Sequence, residues 1–137
     1  MKAGTMKVLV VEDSQLLVNA LQTVLVGAGF EVLTALDGEE ALRVARTNFP
    51  DLILLDWVMP KMQGIEVLKA LKAVRRTQGI PVVMFSSNDK DESIASAMAS
   101  GAIGFIPKKS FSLATMVGEV QKFMSQSSTG LQETATQ

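Results

Sequence analysis

Histidine and cysteine are both absent from this chain of 137 residues, and each absence removes whole classes of chemistry. Without cysteine there is no disulfide framework, no thiolate nucleophile and no cysteine-based metal site, and a reducing cytoplasm is the expected setting. Without histidine, Ser-His-Asp catalysis, histidine-ligated zinc and a phosphohistidine on the chain itself are excluded. Any histidine chemistry in which the protein takes part must be brought by another protein. No apolar run approaches the ~20 residues of a membrane span. The opening Met1-Lys2-Ala3-Gly4-Thr5-Met6 lacks the hydrophobic segment of a signal peptide. A net charge of −1 leaves little excess of either sign, which argues against direct binding to nucleic acid or an anionic membrane.

What is present suits one folded domain. The chain is 47% hydrophobic and 20% charged, too apolar for disorder and long enough for a single core. Short apolar runs alternate with helical patterns. Lys7 to Val11 reads as a strand, followed by a helix from Ser14 to Val26 that Gly27 and Gly29 end. Glu31 to Ala35 is a second strand, more alternating and so expected near the sheet edge. Asp37-Gly38-Glu39-Glu40 opens a second helix, which Pro50 breaks. Leu52-Ile53-Leu54-Leu55-Asp56 is a strand apolar on both faces, with an acid at its end.

Gly64 precedes a third helix with Ile65, Val67, Leu68 and Leu71 inward and Lys69, Lys72, Arg75 and Arg76 outward. Pro81 to Ser86 is a fourth strand, and Asp89 to Ser100 a helix rich in small residues. Gly104 to Pro107 is a short fifth strand, and Ser112 to Met124 a closing helix. Five strand–helix units imply an α/β fold with a parallel, doubly wound sheet and helices on both faces. Residues 1–6 read as a short extension, 7–124 as the domain and 125–137 as a polar flexible tail or linker. The eight methionines read as core filler.

The strand ends carry the chemistry. Glu12-Asp13 follows the first strand, Asp56 ends the third, Ser86-Ser87 end the fourth and Lys108 follows the fifth. In a parallel sheet these termini share one edge, where open α/β sheets bind ligands. Three carboxylates converging there raise one another's pKa unless a cation intervenes, and one lysine cannot balance them. Oxygen donors without histidine or cysteine call for a hard ion, and an incomplete cage suits Mg²⁺ (or Mn²⁺). A metal-held aspartate beside a lysine and a hydroxyl can accept a phosphoryl group.

Taken in order, these residues resemble a response-regulator receiver domain. The match rests on Glu12-Asp13, Asp56 with Met59-Pro60 and Gly64, Ser86-Ser87, and Gly101-Ala102 leading to Phe105 and Lys108. The resemblance implies a flavodoxin-like five-stranded parallel sheet of order 2-1-3-4-5. It implies phosphorylation of Asp56 by a sensor histidine kinase in trans, which agrees with the missing histidine. It further implies metal bound by Asp13, Asp56 and the Val58 backbone carbonyl, with Glu12 acting through water. Lys108 and Ser86 would hold the phosphoryl oxygens, with the Ser87 backbone nitrogen assisting. Phe105 would be an aromatic switch, and the surface of the fourth helix, fifth strand and fifth helix would control binding to an output protein or domain. Such a protein is a cytoplasmic phosphoacceptor rather than an enzyme, and a monomer or a phosphorylation-dependent dimer. A phosphorelay intermediate, or a receiver cut from a longer regulator, are the alternatives the same site allows.

Two features depart from the family pattern. The family usually has Lys-Pro-Phe after the fifth strand, where this chain has Lys108-Lys109-Ser110-Phe111. One residue is thus inserted before Phe111, and Lys109 competes with Lys108 for the role of phosphate ligand, of which Lys108 is the expected one. Val58 and Asn88 lie two residues after Asp56 and Ser86, flanking the route of a hydrolytic water. Valine cannot orient that water, so self-dephosphorylation is expected to be slow.

Overall fold

Strands that are apolar on both faces must be covered on both faces, and the chain achieves this with two layers of helices. The computed structural model describes residues 5–87 and 90–136, with side-chain surroundings up to residue 126. Strands β1 (Lys7–Val11), β2 (Glu31–Ala35), β3 (Leu52–Leu55), β4 (Val82–Ser86) and β5 (Gly104–Pro107) form one parallel sheet in the order β2-β1-β3-β4-β5. Helices α1 (Gln15–Gly27), α2 (Gly38–Asn48), α3 (Gly64–Ala73), α4 (Asp91–Ala99) and α5 (Leu113–Thr136) complete the five units. This is the expected doubly wound order, with the alternating β2 at the edge.

Side chains two apart on a strand share a face, so each apolar run feeds two cores. Val8, Val10, Leu52, Leu54, Val83 and Phe85 pack against Leu21 and Leu25 of α1 and Met116, Val120 and Phe123 of α5. Leu9, Val11, Ile53, Leu55 and Met84 point the other way, against Ala41 and Ala45 of α2, Val67, Leu68 and Leu71 of α3, and Ala97 of α4. Each large aliphatic so buried contributes about 1.5–3 kcal/mol relative to exposure, and β1, β3 and β4 supply them in unbroken runs. Of the methionines expected as filler, Met59, Met84, Met116 and Met124 are buried, whereas Met6 and Met98 are exposed.

Polar residues set the helix ends. Ser14 caps α1, accepting from the Leu17 N–H at 3.4 Å, and Asp37 caps α2, accepting from Glu40 at 2.9 Å. α3 stops at Ala73, so Arg75 and Arg76 are not on its face. Lys72 is half-buried rather than solvated: its ammonium donates to the Gln78 and Ile80 carbonyls at 2.9 and 2.7 Å. Those carbonyls lie in the turn before β4, and the lysine stem is long enough to fold back onto them. α5 runs on past Met124, where the apolar spacing ends. That spacing marks only the face against the core, and a stretch without proline does not stop the helical backbone. The expected start of α4 at Asp89 lies outside the described residues.

Gly64 closes the loop that follows β3. Its N–H donates to the Trp57 carbonyl at 2.7 Å, and a Cβ at this position would run into the Asp56 carbonyl oxygen and the Trp57 Cα. Both obstacles are backbone and cannot rotate away. Gly64→Ala is therefore expected to destabilise the protein by about 2 kcal/mol or more. Urea denaturation should show the midpoint lowered at an unchanged m-value.

Candidate functional site at the strand ends

Parallel pairing brings together residues that are far apart in sequence. β1 and β3 are adjacent, and the Asp56 N–H continues their ladder by donating to the Val11 carbonyl at 3.1 Å. Asp56 thus sits just beyond β3, beside Glu12. β4 and β5 are paired through Ser86 and Pro107, and the Lys108 N–H donates to the Ser86 carbonyl at 2.9 Å. That register places the two lysines differently. Lys108 reaches inward, with Nζ 2.7 Å from Glu12 Oε1 and 3.1 Å from Asp56 Oδ2, while Lys109 is exposed.

The carboxylates differ in surroundings. Glu12 is 1% exposed and Asp56 4%, whereas Asp13 is at the surface. One oxygen from each lies within 4.8 Å of those of the other two. The Ser14 N–H donates to Glu12 Oε2 at 3.1 Å, and the Val58 N–H makes a long contact of 3.4 Å to Asp56 Oδ1. Glu12 Oε1 is enclosed, and apart from the Lys108 ammonium at 2.7 Å nothing among the described residues satisfies it. Ser86 is fully buried, Ser87 is exposed, and Phe105 is half-buried against the α2–α4 core. Val58 is 58% exposed. Asn88, the second residue expected beside the water route, lies outside the described residues.

Burial raises the pKa of Glu12 above its ordinary 4.5; the Lys108 ammonium opposes this, the Asp56 charge adds to it, and the Ser14 N–H opposes it. Burial likewise raises Asp56 above 3.8, against the pull of Lys108 and the Val58 N–H, with Asp13 adding repulsion. Burial pulls Lys108 down, but Glu12 and Asp56 outweigh it and the net shift is upward. One lysine therefore holds two buried acids without fully compensating them. The donor set is all oxygen and charged on one open side, and the enclosed Glu12 Oε1 has only the shared Lys108 ammonium for a partner among the described residues. Those features fit a hard divalent cation that keeps part of its water, such as Mg²⁺.

A family model for the response regulator receiver domain matches residues 8–121. The chain belongs to that family. Among curated relatives, the alkaline phosphatase synthesis transcriptional regulatory protein PhoP of Bacillus subtilis is 40% identical over 102 residues, 74% of this chain and 42% of that one. The transcriptional regulatory protein PrrA of Mycobacterium tuberculosis is 37% identical over 118 residues, 86% of this chain and 49% of that one. The chain thus spans about half the length of these relatives or less. Among solved structures, the chemotaxis response regulator CheY4 of Vibrio cholerae is 34% identical with a TM-score of 0.81, covering 87% of this chain and 98% of that one. The receiver domain of the Francisella response regulator 1452 is 30% identical with a TM-score of 0.80, covering 88% and 98%.

Sequence reasoning missed two aromatic residues beside this receiver site. Phe85, immediately before Ser86, lies beneath the Lys108 ammonium, 5.3 Å from ring centroid to Nζ. Phe111 meets Phe85 edge-on at 4.9 Å. The available signal was the aromatic next to the serine on β4, which reads as plain core without knowledge of what lies above it.

The raised carboxyl pKa values carry a consequence for stability. The folded state holds these protons more tightly than the unfolded chain, so the contribution is favourable below pH 3.8–4.5 and is lost as pH rises through the higher folded values. At neutral pH without a divalent cation, ionised Asp56 is a net cost. Asp56→Asn is expected to raise Tm by about 3–5 °C, equivalent to about 1 kcal/mol in a domain of this size. Calorimetry in chelator should show this gain at pH 7 and a smaller one near pH 4.

Proposed function

We propose that Asp56 is the phosphoacceptor of this receiver domain and that its phosphorylation switches the α4–β5–α5 surface to control partner binding. The observation that carries this reading is the position of the Lys108 ammonium, 3.1 Å from a buried Asp56 carboxylate flanked by two more acids. A carboxylate oxygen of Asp56 attacks phosphorus, the bond from phosphorus to the donor's imidazole nitrogen breaks, and that nitrogen takes up a proton. The donor is a phosphohistidine of a sensor kinase in trans, since this chain has no histidine. Lys108 and the Ser86 hydroxyl hold the phosphoryl oxygens, with the Ser87 backbone nitrogen assisting. Asp13, Asp56, the Val58 carbonyl and, through water, Glu12 would hold Mg²⁺, which supplies charge neutralisation of the phosphoryl oxygens.

Phe105, half-buried on β5, serves as the switch residue, turning inward as Ser86 moves toward the phosphoryl group. The receiver unit spans residues 7–124 and acts in the cytoplasm as a signalling module rather than a classical enzyme. Among the described residues no helix is long and apolar enough to cross a membrane. The output is delivered by an attached domain or a separate protein; several relatives are named as transcriptional regulators.

Incubation with Mg²⁺ and a small phosphodonor such as acetyl phosphate should give a hydroxylamine-labile phosphoprotein, with none formed by Asp56→Asn. Absence of labile phosphate on the wild type would overturn the reading. The exposed Val58 side chain offers no polar group to orient an attacking water. Val58→Asn is expected to shorten the lifetime of the phosphorylated form several-fold, measured by phosphate release after donor removal, with no change in the site of labelling.

A further inference from the structure

Lys108 has a flexible four-carbon stem, and the turn that carries it, residues 108–112, contains no proline to stiffen it. Its backbone is fixed by the hydrogen bond to Ser86, and among the described residues its ammonium is near Glu12 at 2.7 Å, Asp56 at 3.1 Å and the face of Phe85 at 5.3 Å. The first two are groups that a divalent cation and an incoming phosphoryl group would claim. When they are claimed, the lysine loses the contacts that direct it. The aromatic ring is not a competitor for either, and its negative face still attracts the ammonium.

The ring is itself held firmly. Phe85 is 1% exposed on β4, and Phe111 abuts it edge-on with ring planes at 87°. Phe111 is fixed in turn by its N–H bond to the Pro107 carbonyl at 3.2 Å. The turn after Lys108 thus carries Phe111 against Phe85, so the turn and the aromatic pair form one unit.

We propose that Phe85 is a positioning residue for Lys108, keeping its ammonium at the strand ends while Glu12 and Asp56 engage other groups, with Phe111 setting the ring. This rests on the assignment of Asp56 as phosphoacceptor, but the placement of the lysine can be read without phosphorylation. In wild-type protein at saturating Mg²⁺, the ε-methylene protons of Lys108 should resonate upfield through the ring current of Phe85, and should return to ordinary values in Phe85→Leu. Ordinary values in the Mg²⁺-loaded wild type would overturn the proposal.

The kinetic arm measures labelling by acetyl phosphate at saturating Mg²⁺. Phe85→Leu should slow it about three- to tenfold, in keeping with a partly desolvated cation–π contact. Phe85→Tyr, which retains the ring, should stay within about twofold, and Phe111→Leu should fall between. In a Lys108→Ala background, Phe85→Leu should have no further effect, because the residue acts through the lysine. An equal loss in that background, an equally slow Phe85→Tyr, or a wild-type rate in Phe85→Leu would each overturn the proposal. A wild type that takes no label would overturn the phosphoacceptor assignment, and the resonance of the lysine would still decide the role of Phe85.

Discussion

One ammonium group shared between two buried carboxylates governs this end of the molecule. Lys108 reaches both Glu12 and Asp56, yet the pKa values of the two acids remain raised, because burial outweighs what a single cation returns. A cluster of two buried carboxylates sharing one ammonium retains a standing demand for positive charge. That demand makes the strand ends receptive to a divalent cation.

The fold exists to place these groups, and its order explains their proximity. Residues 12, 56, 86 and 108 come from four strand termini, and the order β1-β3-β4-β5 sets them side by side along one edge. The central strands β1, β3 and β4 are apolar and locked between two helical layers, so the edge is rigid where the chemistry needs rigidity. The loop after β3 is closed by Gly64 against backbone atoms of Asp56 and Trp57. The loop after β5 is held by the Phe85–Phe111 pair. Other tethers are looser: Lys61, in a left-handed conformation with φ of 70°, reaches Asp37 at 3.4 Å near the surface, where an ion pair contributes little.

Much of this was legible in the residues. The strands, their parallel order and the acid at the end of an aliphatic run follow from period-2 burial, because a charge there violates the pattern and must have partners. Lys108 and the acidic pair were found the same way. Other features were hidden because they depend on register or on contacts between distant segments. Which of Glu12 and Asp13 is buried depends on the rotation of the chain as it leaves β1. That Lys108 and not Lys109 reaches Glu12 and Asp56 follows from the pairing of Ser86 with Pro107. Lys72 looked like part of a solvated stripe until the turn before β4 supplied carbonyls to it. Phe85 and Phe111 could be read only as core residues, since their meeting beneath a lysine is a tertiary event. The extent of α5 escaped because apolar spacing reports contact with the core and not where the helical backbone stops.

A divalent cation held by Glu12 and Asp56 would have to displace the Lys108 ammonium from the same carboxylates. The sole tryptophan, Trp57, is half-buried beside Asp56 and provides a fluorescence reporter. The most direct test is a Mg²⁺ titration of the wild type and of Lys108→Ala followed by that signal. Wild type should bind saturably at one site, and Lys108→Ala should bind more tightly because the ammonium no longer occupies Glu12 and Asp56. Weaker or equal binding by Lys108→Ala, or no saturable binding by the wild type, would contradict the account.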